Sequence, residues 1–182
     1  RHEGARQNAD TTTGHPVTIP TPDSAFIRIN LEAQTLELVA ADGTVRHCYP
    51  VSTALNGAGE QHGSGCTPRG EHYIRARIGG NAPLNTVFIA RRPTGERYSP
   101  DLARAHPQRD WILTRILWLC GREWGVNRGP GVDTFRRFIY IHGTPDTEPM
   151  GVARSHGCIR MRNHDIAELF EQVDPGMRVI IQ

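Results

Sequence analysis

Two short stretches in the last quarter of this 182-residue chain hold its densest set of reactive side chains: His142-Gly143-Thr144-Pro145 and Ser155-His156-Gly157-Cys158-Ile159-Arg160. A thiol becomes a useful nucleophile when an imidazole takes its proton or holds the thiolate as an ion pair. Cys158 follows His142 by sixteen residues, a spacing that lets the intervening loop fold back and unite them. Glycines on both sides suit the same chemistry. Gly157 lets backbone approach a bound carbonyl, and Gly143 frees the turn after the imidazole. Backbone N–H groups near Cys158 would then form an oxyanion hole for acyl transfer. The competing reading of these residues is a buried thiol and a surface histidine.

The elements that must position this pair are mostly strands. Phe138–Ile141 reads as a strand ending at His142-Gly143, and a loop runs from there to Cys158. A helix follows, with Asn163 as its cap and Ile166, Leu169, Phe170 and Val173 on one face; the turn Asp174-Pro175-Gly176 then delivers a closing strand over Arg178–Ile181. Upstream, strands are expected at Phe26–Asn30, Thr35–Val39 and, across the turn Asp42-Gly43, Thr44–Tyr49. The glycine-rich stretch Ser52–Gly70 reads as a long surface loop, followed by a strand at His72–Ile78 and a buried run at Thr86–Ala90. The spacing of Leu113, Ile116, Leu117 and Cys120 predicts a helix over about Trp111–Leu119, capped by Asp110. Trp111, Arg115 and Trp118 would form its second stripe, available for packing or for lining a cleft. Strands outnumber helices and the first ones are joined by turns. The fold class is therefore mainly β, a mostly antiparallel sandwich or barrel with one or two packed helices. Residues 1–23, rich in Thr, Gly, Pro and Asn, read as a flexible leader or linker to a domain over 24–182.

Composition removes several function classes. All 21 basic residues are arginine, so no P-loop lysine, Schiff base or Ser-x-x-Lys dyad is available. A formal charge of +2 does not imply a nucleic-acid partner, although Arg91-Arg92 and Arg136-Arg137 mark basic patches or solvated faces. No apolar run is long enough for a transmembrane segment. Cys48, Cys66, Cys120 and Cys158 form no Cys-x-x-Cys pair; with Cys158 as nucleophile, three thiols remain and at most one disulfide can form.

The spaced His142-Gly143, the Ser155-His156-Gly157-Cys158 run and the following Ile159-Arg160 resemble the active-site signature of the L,D-transpeptidases, the YkuD family. Tyr49-Pro50-Val51-Ser52-Thr53 and Thr67-Pro68-Arg69-Gly70 are similar to the family's opening half, so the likeness runs over about 25–182. The resemblance implies a periplasmic or cell-envelope enzyme, its secretion signal already removed, acting on peptidoglycan stem peptides without a cofactor and as a monomer. Cys158 would attack the carbonyl of the third stem residue, usually diaminopimelate, and expel D-alanine; an amine would resolve the thioester into a 3-3 cross-link. Water as acceptor would give a carboxypeptidase, and a lipoprotein lysine or a D-amino acid are further acceptors. By the same resemblance His142 is the base, oriented by the Gly143 carbonyl, while Ser155, His156 and Gly157 shape the oxyanion region. Arg160, with Arg154 as a further candidate, would hold a substrate carboxylate. The segment between Trp111 and Gly131 looks like a helix-bearing insertion walling the cleft, with Trp111 or Trp118 touching sugar or stem peptide. Two rivals stand beside this reading: a zinc hydrolase built on His142, His156, Cys158 and His164, and a non-catalytic wall-binding module.

Overall fold

Ile27 and Ile29 alternate with Phe26, Arg28 and Asn30, as Leu36 and Leu38 do with Thr35 and Glu37, and this period of two makes half-buried strands. The computed structural model describes residues 24–182; the leader expected over 1–23 lies outside the described residues. Strands β1 (Phe26–Asn30), β2 (Thr35–Val39) and β3 (Val45–Pro50) form an antiparallel meander. After the glycine-rich loop come β4 (Gly70–Ile78), β5 (Thr86–Ile89), β6 (Arg92–Arg97) and a short helix α1 (Pro100–Ala105). The chain continues through β7 (Ile112–Gly121), β8 (Tyr140–Thr144), β9 (Ile159–Arg162), helix α2 (Asn163–Phe170) and β10 (Arg178–Ile181).

One curled sheet results, ordered β3-β2-β1-β10-β4-β7-β5-β6, with β8 branching from β7 and β9 added to β8. Among the strands of the described residues, β1–β10 and β8–β9 pair in parallel and the other pairs are antiparallel. The architecture is mainly β with two short helices, as expected from the sequence. Ile27, Ile29, Leu36, Ile74, Leu117, Ile141 and Ile159 meet Ile166, Leu169 and Phe170 of α2 in the main core. Each such side chain contributes about 1.5–3 kcal/mol by leaving water.

The helix expected at Trp111–Leu119 is a strand. β7 is the branch point of the sheet, paired with β4 on one edge and with β5 and then β8 on the other. Leu113 through Leu117 are all buried, so both faces of the strand are covered. A strand buried on both faces reads as a continuous apolar run, and such a run satisfies helical spacing by default. Residues 112–121 are accordingly part of the sheet, the strand on which β8 is laid. Asp110 caps no helix, and Asn163, although it begins α2, donates no cap: the cap residue is Arg162. β6, α1 and β9 had no counterpart in the sequence reading.

Candidate active site

The parallel register of β8 and β9 sets Ile141 opposite Ile159 and His142 opposite Arg160. Because side chains alternate across a strand, Ile141, Ile159 and Met161 enter the core while Tyr140, His142, Cys158 and Arg160 share the other face. These four line one cleft of about 480 Å³, with Ser155 and His156. Sequence separation is thus converted into juxtaposition by one strand pairing.

The His142 ring is buried, and its Nδ1 lies 2.6 Å from the Gly143 carbonyl oxygen. A carbonyl only accepts, so Nδ1 carries the proton and Nε2 is left as the basic atom of the neutral ring. Burial holds His142 below the ordinary imidazole range, against the Gly143 carbonyl and Asp110, which favour its cation. Cys158 is half-buried. Its Sγ accepts from the Tyr140 amide at 3.3 Å and sits 3.4 Å from the Phe138 carbonyl oxygen, to which only a protonated thiol can donate. Desolvation pushes the thiol up to about 11, although the Tyr140 amide, Arg160 and Arg137 favour the thiolate. The resting pair is therefore a neutral thiol and a neutral imidazole; of the two arrangements open from the sequence, the ion pair is the disfavoured one.

The loop before Cys158 is fixed by its own side chains. Ser155 Oγ donates to the Cys158 carbonyl at 2.6 Å and accepts from the Gly157 amide at 3.2 Å. Gly157 has φ +135°, and a Cβ there would lie 3.2 Å from Ile139 Cδ1 and 3.3 Å from the Cys66 carbonyl oxygen. Thr67 Oγ donates to the Gly157 carbonyl at 2.9 Å, and Arg137 Nη2 reaches the Cys66 carbonyl at 2.6 Å. The glycine-rich loop is therefore tied to the loop that precedes Cys158 rather than being a free connector. Gly143 is not in a turn, since β8 continues to Thr144. It is glycine because a Cβ would stand 2.6 Å from both Asn163 Oδ1 and the Leu113 carbonyl oxygen.

A model of the YkuD family, the L,D-transpeptidase catalytic domain, matches residues 24–181. The chain belongs to this family. YqjB of Bacillus subtilis is 26% identical over 172 residues, covering 89% of this chain and 73% of that protein. The probable L,D-transpeptidase YbiS of Escherichia coli is 51% identical over 43 residues, 24% of this chain and 14% of that one. Among solved structures, an L,D-transpeptidase from Mycobacterium smegmatis aligns with a TM-score of 0.51 at 20% identity over 87% of this chain and 58% of its own. The structure of LdtMt1 in complex with imipenem aligns with 0.52 at 19%, over 87% and 59%. The chain thus spans over half the length of these two solved chains, and the likeness to them is one of fold.

Within the L,D-transpeptidase cleft, Arg160 is not free: Nη2 donates to Asp110 Oδ1 at 3.1 Å and Nη1 to the Arg154 carbonyl at 3.5 Å. His156 stands at the rim, 79% exposed, with Nδ1 3.9 Å from Asp110 Oδ2. The Arg154 side chain is exposed and does not line the cleft, nor do Trp111 and Trp118. Trp111 packs edge-on to Tyr98, and Trp118 lies between Phe135 and Tyr140. Asp110, Arg91, Arg137 and Tyr140 line the cleft without having been singled out as site residues. Arg91 and Arg137 each had a signal in an arginine pair. Arg91 is presented by a two-residue turn between β5 and β6 in which Ala90 and Arg91 have φ of 48° and 64°, and its guanidinium donates to the Tyr140 hydroxyl at 2.9 Å. Among the described residues no three His, Cys, Asp or Glu side chains are grouped to hold a metal ion, so the ligand set of the zinc reading is not assembled. All four cysteines are free thiols. No helix among the described residues is long and apolar enough to cross a membrane.

Proposed function

We propose that Cys158 and His142 carry out acyl transfer on peptidoglycan stem peptides, consistent with a family that acts on the cell wall and hence in the cell envelope. His142 Nε2 takes the thiol proton as Sγ attacks the carbonyl of the third stem residue. The Tyr140 amide stabilises the negative charge gathering on sulfur. The imidazolium then gives its proton to the leaving amine of D-alanine, and a thioester remains. An incoming amine loses its proton to the same Nε2, expels Sγ and leaves a 3-3 cross-link; water in the amine's place gives the carboxypeptidase outcome. The Ser155 and Gly157 amides are already given to the Thr53 carbonyl and to Ser155 Oγ, so those of His156 and Cys158 would donate to the oxyanion, and Arg160, once released by Asp110, binds a substrate carboxylate.

The observation that carries this reading is the Nδ1–Gly143 carbonyl contact, which fixes the base's tautomer on the face that also bears the thiol. LdtMt1 is solved in complex with imipenem, so a carbapenem is the probe of choice. Intact-mass measurement with imipenem should show one adduct, absent in a folded Cys158→Ala variant that also fails to turn over a disaccharide tetrapeptide. No adduct on the wild type, or an adduct retained in the variant, would sink the assignment.

A further inference from the structure

A second cavity of about 460 Å³ lies on the far side of the segment Asp133–Phe138 from the catalytic cleft: Phe135 and Arg136 line it, whereas Arg137 and Phe138 line the first. Three guanidiniums surround it, from Arg75 on β4, Arg128 and Arg136. Elsewhere Arg28, Arg69, Arg104, Arg109, Arg160 and Arg178 each face a carboxylate. Arg75, Arg128 and Arg136 have no side-chain hydrogen bond or ion pair among the described residues. The one acid in the cavity wall is already used, since Asp133 accepts from the Gly129 and Arg136 amides at 2.9 and 3.0 Å. Three guanidiniums against one carboxylate leave the cavity with an excess of positive charge, and their forked donors suit it to a carboxylate.

Its aromatic surface is equally specific. Trp124 is 75% exposed, yet its ring is seated against Gly129, where a Cβ would approach three ring atoms at 3.3 Å. Phe135 is held by stacking on Trp118 at 4.0 Å. A fixed, exposed indole beside unpaired guanidiniums presents a flat apolar platform next to cationic forks. We propose that this cavity binds an acidic saccharide, a sugar ring carrying a carboxylate, with the ring on Trp124 and the carboxylate on Arg75, Arg128 and Arg136. A muramic unit keeps its carboxylate free only where no stem peptide is joined to it, so the ligand is a stem-free stretch of the polymer whose stem peptides enter the first cleft, and this inference rests on the acyl-transfer reading for its source but not for its chemistry.

The three tryptophans give three indole N–H signals in the ¹⁵N-labelled chain, and Trp124→Phe assigns the one that matters. N-acetylmuramic acid should shift the Trp124 signal and leave Trp111 and Trp118 in place, with an affinity about tenfold higher than that of neutral N-acetylglucosamine. The preference should vanish in Arg75→Gln/Arg128→Gln, whose unmoved Trp111 and Trp118 signals report an intact fold. Equal shifts by both sugars, no shift, or a preference that survives the double variant would overturn the proposal. Imipenem acylation of Cys158 in the same variant should proceed at the wild-type rate. Loss of sugar binding with normal acylation separates the two sites, and failed acylation in the wild type would count against the acyl-transfer reading alone.

Discussion

The ionisation of Cys158 is open to direct measurement by pH-dependent alkylation. Burial lifts the thiol from its ordinary value near 9 to about 11. At pH 7 the thiolate fraction then falls from about one in 10² to about one in 10⁴, a hundredfold loss of the reactive form. Alkylation by iodoacetamide, followed by peptide mapping to separate Cys158 from Cys48, Cys66 and Cys120, should rise about tenfold per pH unit and bend only near the raised value. Replacing His142 by Gln should leave that curve almost in place, because a neutral imidazole supplies no charge to hold a thiolate. Acylation by imipenem should respond differently. It needs the base, so His142→Gln should slow it by about 10²–10⁴ at pH 7. Because the imidazole is held below its usual range, its wild-type acid limb should lie at lower pH than that of a free histidine. An alkylation midpoint below about pH 8 that moves upward in His142→Gln would show a standing ion pair and refute the reasoning.

Asp110→Asn should release Arg160 and remove a charge that opposes the thiolate, lowering the alkylation midpoint of Cys158; an unchanged midpoint would dissociate Asp110 from the site. Gly143→Ala places a methyl 2.6 Å from two oxygens, and a cost of about 1–3 kcal/mol in urea unfolding, with loss of imipenem acylation, is expected. His72 is buried between the Gly70 carbonyl and Thr134 Oγ and pulled down to about 4 by desolvation. Between that value and the ordinary 6.5 the unfolded chain binds the proton more readily, so stability is full above pH 6.5 and declines as pH falls through the window. Urea unfolding at pH 7 and pH 4 should differ by about 3 kcal/mol from this group, and His72→Asn should flatten that slope; equal slopes would exclude it.

That His142, Cys158 and Arg160 share one cleft was legible because Cys158, its loop and Arg160 are contiguous in sequence and the imidazole follows a clear apolar strand. The outer strands were legible too: β1, β2 and β10 each have one wet face, so their alternation survives in the sequence. β7 has none, and its sequence records burial without recording period. Asp110 and Asn163 were read as helix caps because both residue types favour caps and each precedes or begins an apolar pattern. Their actual partners, Arg160 fifty residues away and Thr114 forty-nine away, follow from sheet topology, which no local pattern carries.

That topology also explains why the base is held from behind. Thr114 adopts φ 73° at an irregularity in the β7–β8 register, between Leu113 and Ile116. Its hydroxyl donates to Asn163 Oδ1 at 2.5 Å, while Asn163 Nδ2 donates to the Thr144 carbonyl at 2.9 Å. The same Asn163 oxygen and the Leu113 carbonyl close on the Gly143 α-carbon. The peptide unit whose carbonyl sets the His142 tautomer is therefore gripped on one side by β7 and on the other by the first residue of α2. An unpaired Asn163 in this dry setting would cost about 1–3 kcal/mol for each polar group stranded, so the network holds in place the Gly143 peptide whose carbonyl accepts from His142 Nδ1. The His142 tautomer is in this sense supported from the core, through the backbone of Gly143.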